Sequence, residues 1–249
     1  MKAKTASRLL AIAFEECDED AVRIACQEKP WEFIGHSNDR SFHFHPIYSA
    51  MSLIEKGIRN RDGSLAEIRK STAKCLQIMV AHGYRPQITQ LDSLAKKDAY
   101  VFTKLLRSLV KLKDPLHPHL FHYLMGNASP ALAISKACLK VGFDPNGLDA
   151  AGDTPLHAMW EKTTLSGSMQ TKHTEAALWW SHTTQLVAAG AQLYTPNAKG
   201  VSVSDLIQRA INLGAPGGVE KMEWVAVMHA QQLKALTPQA ALPSPSRRL

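Results

Sequence analysis

No run of apolar residues in this 249-residue sequence approaches the roughly twenty that a membrane-spanning helix requires. That argues against a membrane protein. Six apolar residues, Leu9 to Phe14, follow a basic start and lead straight into Glu15-Glu16-Cys17-Asp18-Glu19-Asp20, a pattern of a first helix rather than a secretion signal. No CxxC pair occurs, so a zinc ribbon or redox dithiol is not indicated; the four cysteines, at 17, 26, 75 and 138, sit at helix-like spacing among apolar residues. They predict reduced, buried thiols in a cytoplasmic protein, a composition equally suited to delivery by a specialised secretion system. A Gly-x-Ser-x-Gly elbow and a Gly-x-x-x-x-Gly-Lys loop are both missing, and Gly214-Ala215-Pro216-Gly217-Gly218 has the context of a helix connector, not of a phosphate cradle. No bound cofactor or metal is therefore expected. Acidic residues are in the minority, 22 against 29 Lys and Arg, for a net charge of +7 that favours a partner with an acidic surface.

Alternating runs such as Ser41-Phe42-His43-Phe44-His45 are short and isolated, whereas apolar residues recur at three and four spacing throughout. The expected class is all-α. The spacing predicts helices over 5–14, 19–29, 46–56, 65–81, 97–112, 119–125, 130–141, 154–163, 174–189, 203–213 and 219–236. They are short and fall into pairs, as in an α-solenoid where each pair covers an apolar face its neighbour cannot bury alone.

Three of these helices close alike, on His82-Gly83, Val141-Gly142 and Ala189-Gly190, with glycine where a left-handed cap is needed. After the second comes Phe143-Asp144-Pro145-Asn146 and then Asp149-Ala150-Ala151-Gly152-Asp153-Thr154-Pro155-Leu156-His157-Ala158. Asp149 and Gly152 suit a tight turn, Thr154 can cap a helix, and Pro155 fits its first turn. This segment resembles the ankyrin repeat, a glycine-ended helix followed by a hairpin finger and a Thr-Pro-Leu-His helix start. The resemblance implies that His157 bonds to neighbouring backbone and ties successive repeats together. Looser copies are Gly190 to Ser202, with Ser202 in the capping place; His45-Pro46-Ile47-Tyr48-Ser49-Ala50; and His119-Leu120-Phe121-His122.

Gly83 and Gly142 lie 59 residues apart and Gly142 and Gly190 lie 48 apart, against about 33 for an ankyrin repeat. The expected organisation is therefore an atypical N-terminal helical cap over 1–40, then about four to five degenerate helix-pair repeats over 41–236. Insertions are placed near 57–64, 88–115 (carrying one additional helix, 97–112) and 163–172. A flexible Pro/Ser/Arg tail follows over 237–249.

A repeat scaffold of this kind implies a non-enzymatic protein–protein interaction module, whether adaptor, delivered effector or immunity-type inhibitor. The contact residues it implies are Leu148, Ala150, Ala151, Asp153, Met159 and Trp160 at one junction and Thr195, Pro196, Ala198 and Lys199 at the next. Trp180, beside Trp179 on one helix, is set either to anchor a partner or to pack beneath the 163–172 loop. Two other readings compete. Lys97, Lys104, Arg107 and Lys111 follow helical spacing, a stripe able to meet nucleic acid, although no aromatic interleaving accompanies it. The histidine groups His43/His45 and His117/His119/His122 could serve a metal-dependent enzyme, but neither holds the Cys or carboxylate ligands that would complete a site.

Overall fold

Helix corners set the architecture. A computed structural model describes residues 2–29, 45–59, 65–112, 117–126, 133–165, 173–214 and 218–236. Twelve helices lie among the described residues: α1 (Lys2–Glu15), α2 (Glu19–Cys26), α3 (Pro46–Arg59), α4 (Leu65–Ala81), α5 (Ile88–Lys97), α6 (Ala99–Lys111), α7 (His117–Met125), α8 (Ala133–Lys140), α9 (Pro155–Leu165), α10 (His173–Ala188), α11 (Val203–Asn212) and α12 (Gly218–Leu236). No strand accompanies them among those residues, only an isolated antiparallel bridge between Pro196 and Ser202. The described residues are all-helical in class.

Helices α4, α8 and α10 end identically. Gly83, Gly142 and Gly190 take φ of 103°, 95° and 109°. The following amides, of Tyr84, Phe143 and Ala191, then reach back to the carbonyls of Met79, Cys138 and Leu186 at 3.0, 3.1 and 2.9 Å. That backbone arrangement satisfies carbonyls a helix end leaves open, and it turns the chain out of the helix. Helix α1 ends the same way with Cys17 in the left-handed position, φ 56°, and Asp18 then caps α2 by accepting from the amides of Asp20 and Ala21.

Consecutive helices pair as α1/α2, α3/α4, α5/α6, α7/α8, α9/α10 and α11/α12, and all substantial contacts run within a pair or to the adjacent pair. Odd-numbered helices touch odd-numbered neighbours and even-numbered helices touch even-numbered ones, giving two rows. One continuous apolar cluster, from Leu10 in α1 to Val225 in α12, fills the space between them. Each of its fully buried large side chains contributes about 1.5–3 kcal/mol of burial free energy.

The expected insertion over 88–115 is corrected here. It holds a whole hairpin, not one additional helix: α5 touches α3 and α7, and α6 touches α4 and α8. The predicted helix 97–112 runs across a real break at Asp98, whose extended backbone (φ −152°, ψ 103°) ends α5 and starts α6. Asp98 caps α6 by accepting from the amides of Tyr100 and Val101 at 3.1 and 3.0 Å, and it pairs with Arg69 of α4. The long interval from Gly83 to Gly142 thus contains two hairpins, the first closing without glycine. Residues 30–44, 166–172 and 237–249, which include His43, most of the expected 163–172 loop and the expected tail, lie outside the described residues.

Candidate functional site

Two loops between pairs, 143–153 and 191–201, are built on one frame. In the first, Asp149 Oδ1 accepts from the amides of Ala151 and Asp153 at 2.8 and 2.9 Å, while the Gly152 amide donates to the Asp149 carbonyl at 3.0 Å. In the second, Asn197 Oδ1 accepts from the amides of Lys199 and Val201, both at 3.0 Å, and the Gly200 amide donates to the Asn197 carbonyl at 2.9 Å. Asp and Asn do the same work because each carries a side-chain oxygen that can bond its own backbone two residues on. Gly152 and Gly200 take φ of 77° and 74°.

Side chains bolt the two fingers together. Asn197 Nδ2 donates to Asp153 Oδ1 at 2.6 Å, and Asn146 both donates to the Gly190 carbonyl and accepts from the Gln192 amide at 2.8 Å. His157 Nδ1 accepts from the Thr154 amide at 3.2 Å, so the proton sits on Nε2, which donates to the Val201 carbonyl at 3.1 Å. His122 makes the corresponding link one pair earlier, with Nε2 2.9 Å from the Gly147 carbonyl. Burial, opposed by the Val201 carbonyl and nearby carboxylates, pushes the His157 pKa below the ordinary 6.5.

The eleven expected contact residues divide. Leu148 (62 % exposed), Ala150, Ala151, Thr195, Pro196, Ala198 and Lys199 stand at the finger surface. Four do not, and their place on the contact surface is corrected. Met159 (1 % exposed) and Trp160 (0 %) share with Leu156 the buried face of α9; these positions, three and four residues along one helix, face the same way. Trp180 (4 %) packs on Trp160 with ring centroids 5.1 Å apart, and Trp160 Nε1 donates to Thr183 Oγ1 at 3.0 Å. Both tryptophans are core. Asp153 (5 %) is held by Asn197 as part of the frame.

Beside the first finger, between α7 and α9, lies a cavity of about 320 Å³. His119, His122 and Tyr123 line it from α7, Asp149, Ala150 and Asp153 from the finger, and Ala158, Glu161 and Lys162 from α9. Three carboxylates face one lysine, although all three are partly engaged: Glu161 also holds Lys199 at 2.9 Å, raising the Lys199 pKa. Tyr123 and Tyr194, both well exposed near the fingers, carry no signal in the sequence because the repeat motif prescribes no residue type at either position.

The rival chemistries find the following geometry. No group of three or more His, Cys, Asp or Glu that could hold a metal exists among the described residues. His119 and His122 stack edge to face, with centroids 6.4 Å apart, and His45 lies against Tyr48. The thiols of Cys26 and Cys75 are pushed up to about 12 by burial, and that of Cys138 higher still, so none is a ready nucleophile. Ser135 Oγ lies 2.8 Å from His182 Nδ1 and 2.7 Å from Gln185 Oε1, yet Ser135 and His182 are fully buried and join α8 to α10 without offering a surface to substrate. The basic stripe is broken: Lys97 belongs to α5, where it pairs with Glu55 at 3.3 Å, and only Lys104, Arg107 and Lys111 share α6. Among the described residues no helix is long and apolar enough to cross a membrane. Compared with protein-family models, curated proteins and solved structures, the chain finds no match in any of the three.

Proposed function

We propose that the chain is a non-enzymatic protein-recognition module, a divergent ankyrin-type solenoid that grips a partner protein with its fingers and the odd-numbered helix row. The observation that carries this reading is the pair of fingers built on one hydrogen-bond frame, with Asp149 and Asn197 in the same place. Rigid, pre-formed loops lose little conformational freedom on association, which is what a binding surface requires. Their frame atoms are used internally, and their tips carry short, exposed side chains free to meet a partner. The acidic cavity beside them suits a basic side chain of that partner, so its acidic surface would be met elsewhere on the chain. The test replaces Ala150 and Ala198 by Arg in the intact protein and captures the partner from cells that express it, with identification by mass spectrometry. Loss of a specific, stoichiometric partner with unchanged melting is expected. Undiminished capture of that partner by the double variant overturns the reading.

A further inference from the structure

A second groove, of about 390 Å³, runs between α6 and α8 in the even-numbered row, and no finger residue lines it. Lys104 and Arg107 line it from α6, Lys136 and Lys140 from α8, and no carboxylate is among its lining residues. Four lysines elsewhere are paired: Lys96 with Asp92, Lys97 with Glu55, Lys70 with Glu67, Lys199 with Glu161. None of the four groove cations has an ion-pair partner among the described residues; Lys104 instead lies 5.4 Å from the centroid of the Tyr100 ring. Ala137, short and buried, keeps the floor low between the two charged rims. Four uncompensated like charges around one recess repel each other, a cost that an anionic occupant removes.

The shape selects among anions. Duplex nucleic acid is read by an element that protrudes into its grooves, and this is a recess. Single strands need a succession of stacking aromatics; Tyr100 is the one aromatic lining the groove, and Lys104 already occupies its ring. An extended peptide places alternate side chains on one face at about 6.8 Å, comparable with the rise of about 4.5 Å from Lys104 to Arg107 and about 6.0 Å from Lys136 to Lys140 along their helices. We propose that the α6–α8 groove binds an extended acidic segment of a partner protein, its alternate carboxylates facing Lys104, Arg107, Lys136 and Lys140. The inference rests on the protein-recognition reading for its occupant but uses a groove that shares no lining residue with the cavity beside the finger.

The test titrates the full-length chain into a fluorescein-labelled peptide of alternating Glu and Ser, twelve residues long, and reads fluorescence anisotropy at about 50 mM salt. The variant K104Q/R107Q/K136Q/K140Q is compared with R8Q/R23Q/K74Q/R209Q, which removes the same charge elsewhere. Binding is expected to weaken about tenfold or more in the groove variant and less than about threefold in the other, and to fade with added salt. Because the groove cations are unpaired and repel one another, melting should not fall in the groove variant; if the quadruple variant does not fold, K104Q/R107Q and K136Q/K140Q are each expected to show part of the loss. No binding by the natural sequence, equal loss in the two variants, or tighter binding of a dT12 oligonucleotide than of the peptide overturns the proposal. The A150R/A198R variant is expected to bind the peptide normally. If it alone loses the native partner while the groove variant keeps it, the groove assignment falls and the recognition reading stands.

Discussion

His157 is useful only as a neutral imidazole with its proton on Nε2, because Nδ1 must accept from Thr154 while Nε2 donates to Val201 in the next finger. Burial holds its folded-state pKa below 6.5, and burial does the same to His229 beneath Tyr194. As pH falls through 6.5 the unfolded chain takes up protons that the folded chain refuses. Stability is therefore complete above that pH and declines below it, by up to about 1.4 kcal/mol per pH unit for each such histidine until the folded pKa is reached. Urea denaturation at pH 8.0 and pH 5.5 measures this. His157→Phe is expected to lose about 1–3 kcal/mol at pH 8 by orphaning the Thr154 amide and the Val201 carbonyl, and to show a shallower decline in acid than the natural sequence. An unchanged acid slope in that variant would assign the pH dependence to other groups.

Corners and fingers, as elements, differ in what their glycines do. At Gly142 an added Cβ would meet nothing within 4 Å, so Gly142→Ala costs only the left-handed backbone, about 1–2 kcal/mol. At Gly152 the Cβ would also stand 3.1 Å from both the Cβ and the amide nitrogen of Ala198. Gly152→Ala therefore pushes the two fingers apart and is expected to destabilise more than Gly142→Ala in the same denaturation assay; equal losses would mean that the fingers are not closely fitted. These glycines also explain what was legible. A residue that must be glycine is visible in a sequence, and the cap at Gly142, the turn at Gly152 and the helix start at Thr154 stand in plain order. Helix α4 was legible to both ends, Leu65 and Ala81. The α5–α6 break was not, because it turns on Asp98 alone, an ordinary residue between apolar-periodic segments with no glycine or proline to mark it. Buried and exposed positions on α9 were misjudged for a similar reason: the finger motif identifies the helix start, but only the helical period, which puts Leu156, Met159 and Trp160 on one face, says which later residues are inside. The groove between α6 and α8 could not be read at all, since Lys104 and Lys136 are neighbours only once two hairpins have stacked.

At the scale of the molecule, substantial contacts that run no farther than the adjacent hairpin among the described residues predict a stability that is a sum of local terms and nearest-neighbour interfaces. A lesion at an end should then stay at that end. Ile207 is fully buried in α11, in the last hairpin, and Leu76 is equally buried in α4, with hairpins on both sides. Truncating either to Ala removes about 2–5 kcal/mol of packing. For Ile207→Ala the opening that this permits involves α11 and α12 alone, so their amides should exchange hydrogen at least about thirtyfold faster, the equivalent of 2 kcal/mol. Amides of α3 to α6 should keep their natural rates. For Leu76→Ala, helices in the hairpins on either side of α4 should lose protection together, because both interfaces of an interior unit fail at once. Hydrogen exchange read by mass spectrometry separates the cases, and equal acceleration along the whole chain in the Ile207→Ala variant would mean a single cooperative globule. The distinction bears on the proposed recognition surface: if the α11/α12 hairpin opens independently, the 143–153 finger keeps its own Asp149 frame and its link to His122 of α7, and only its bonds to the 191–201 finger are at risk.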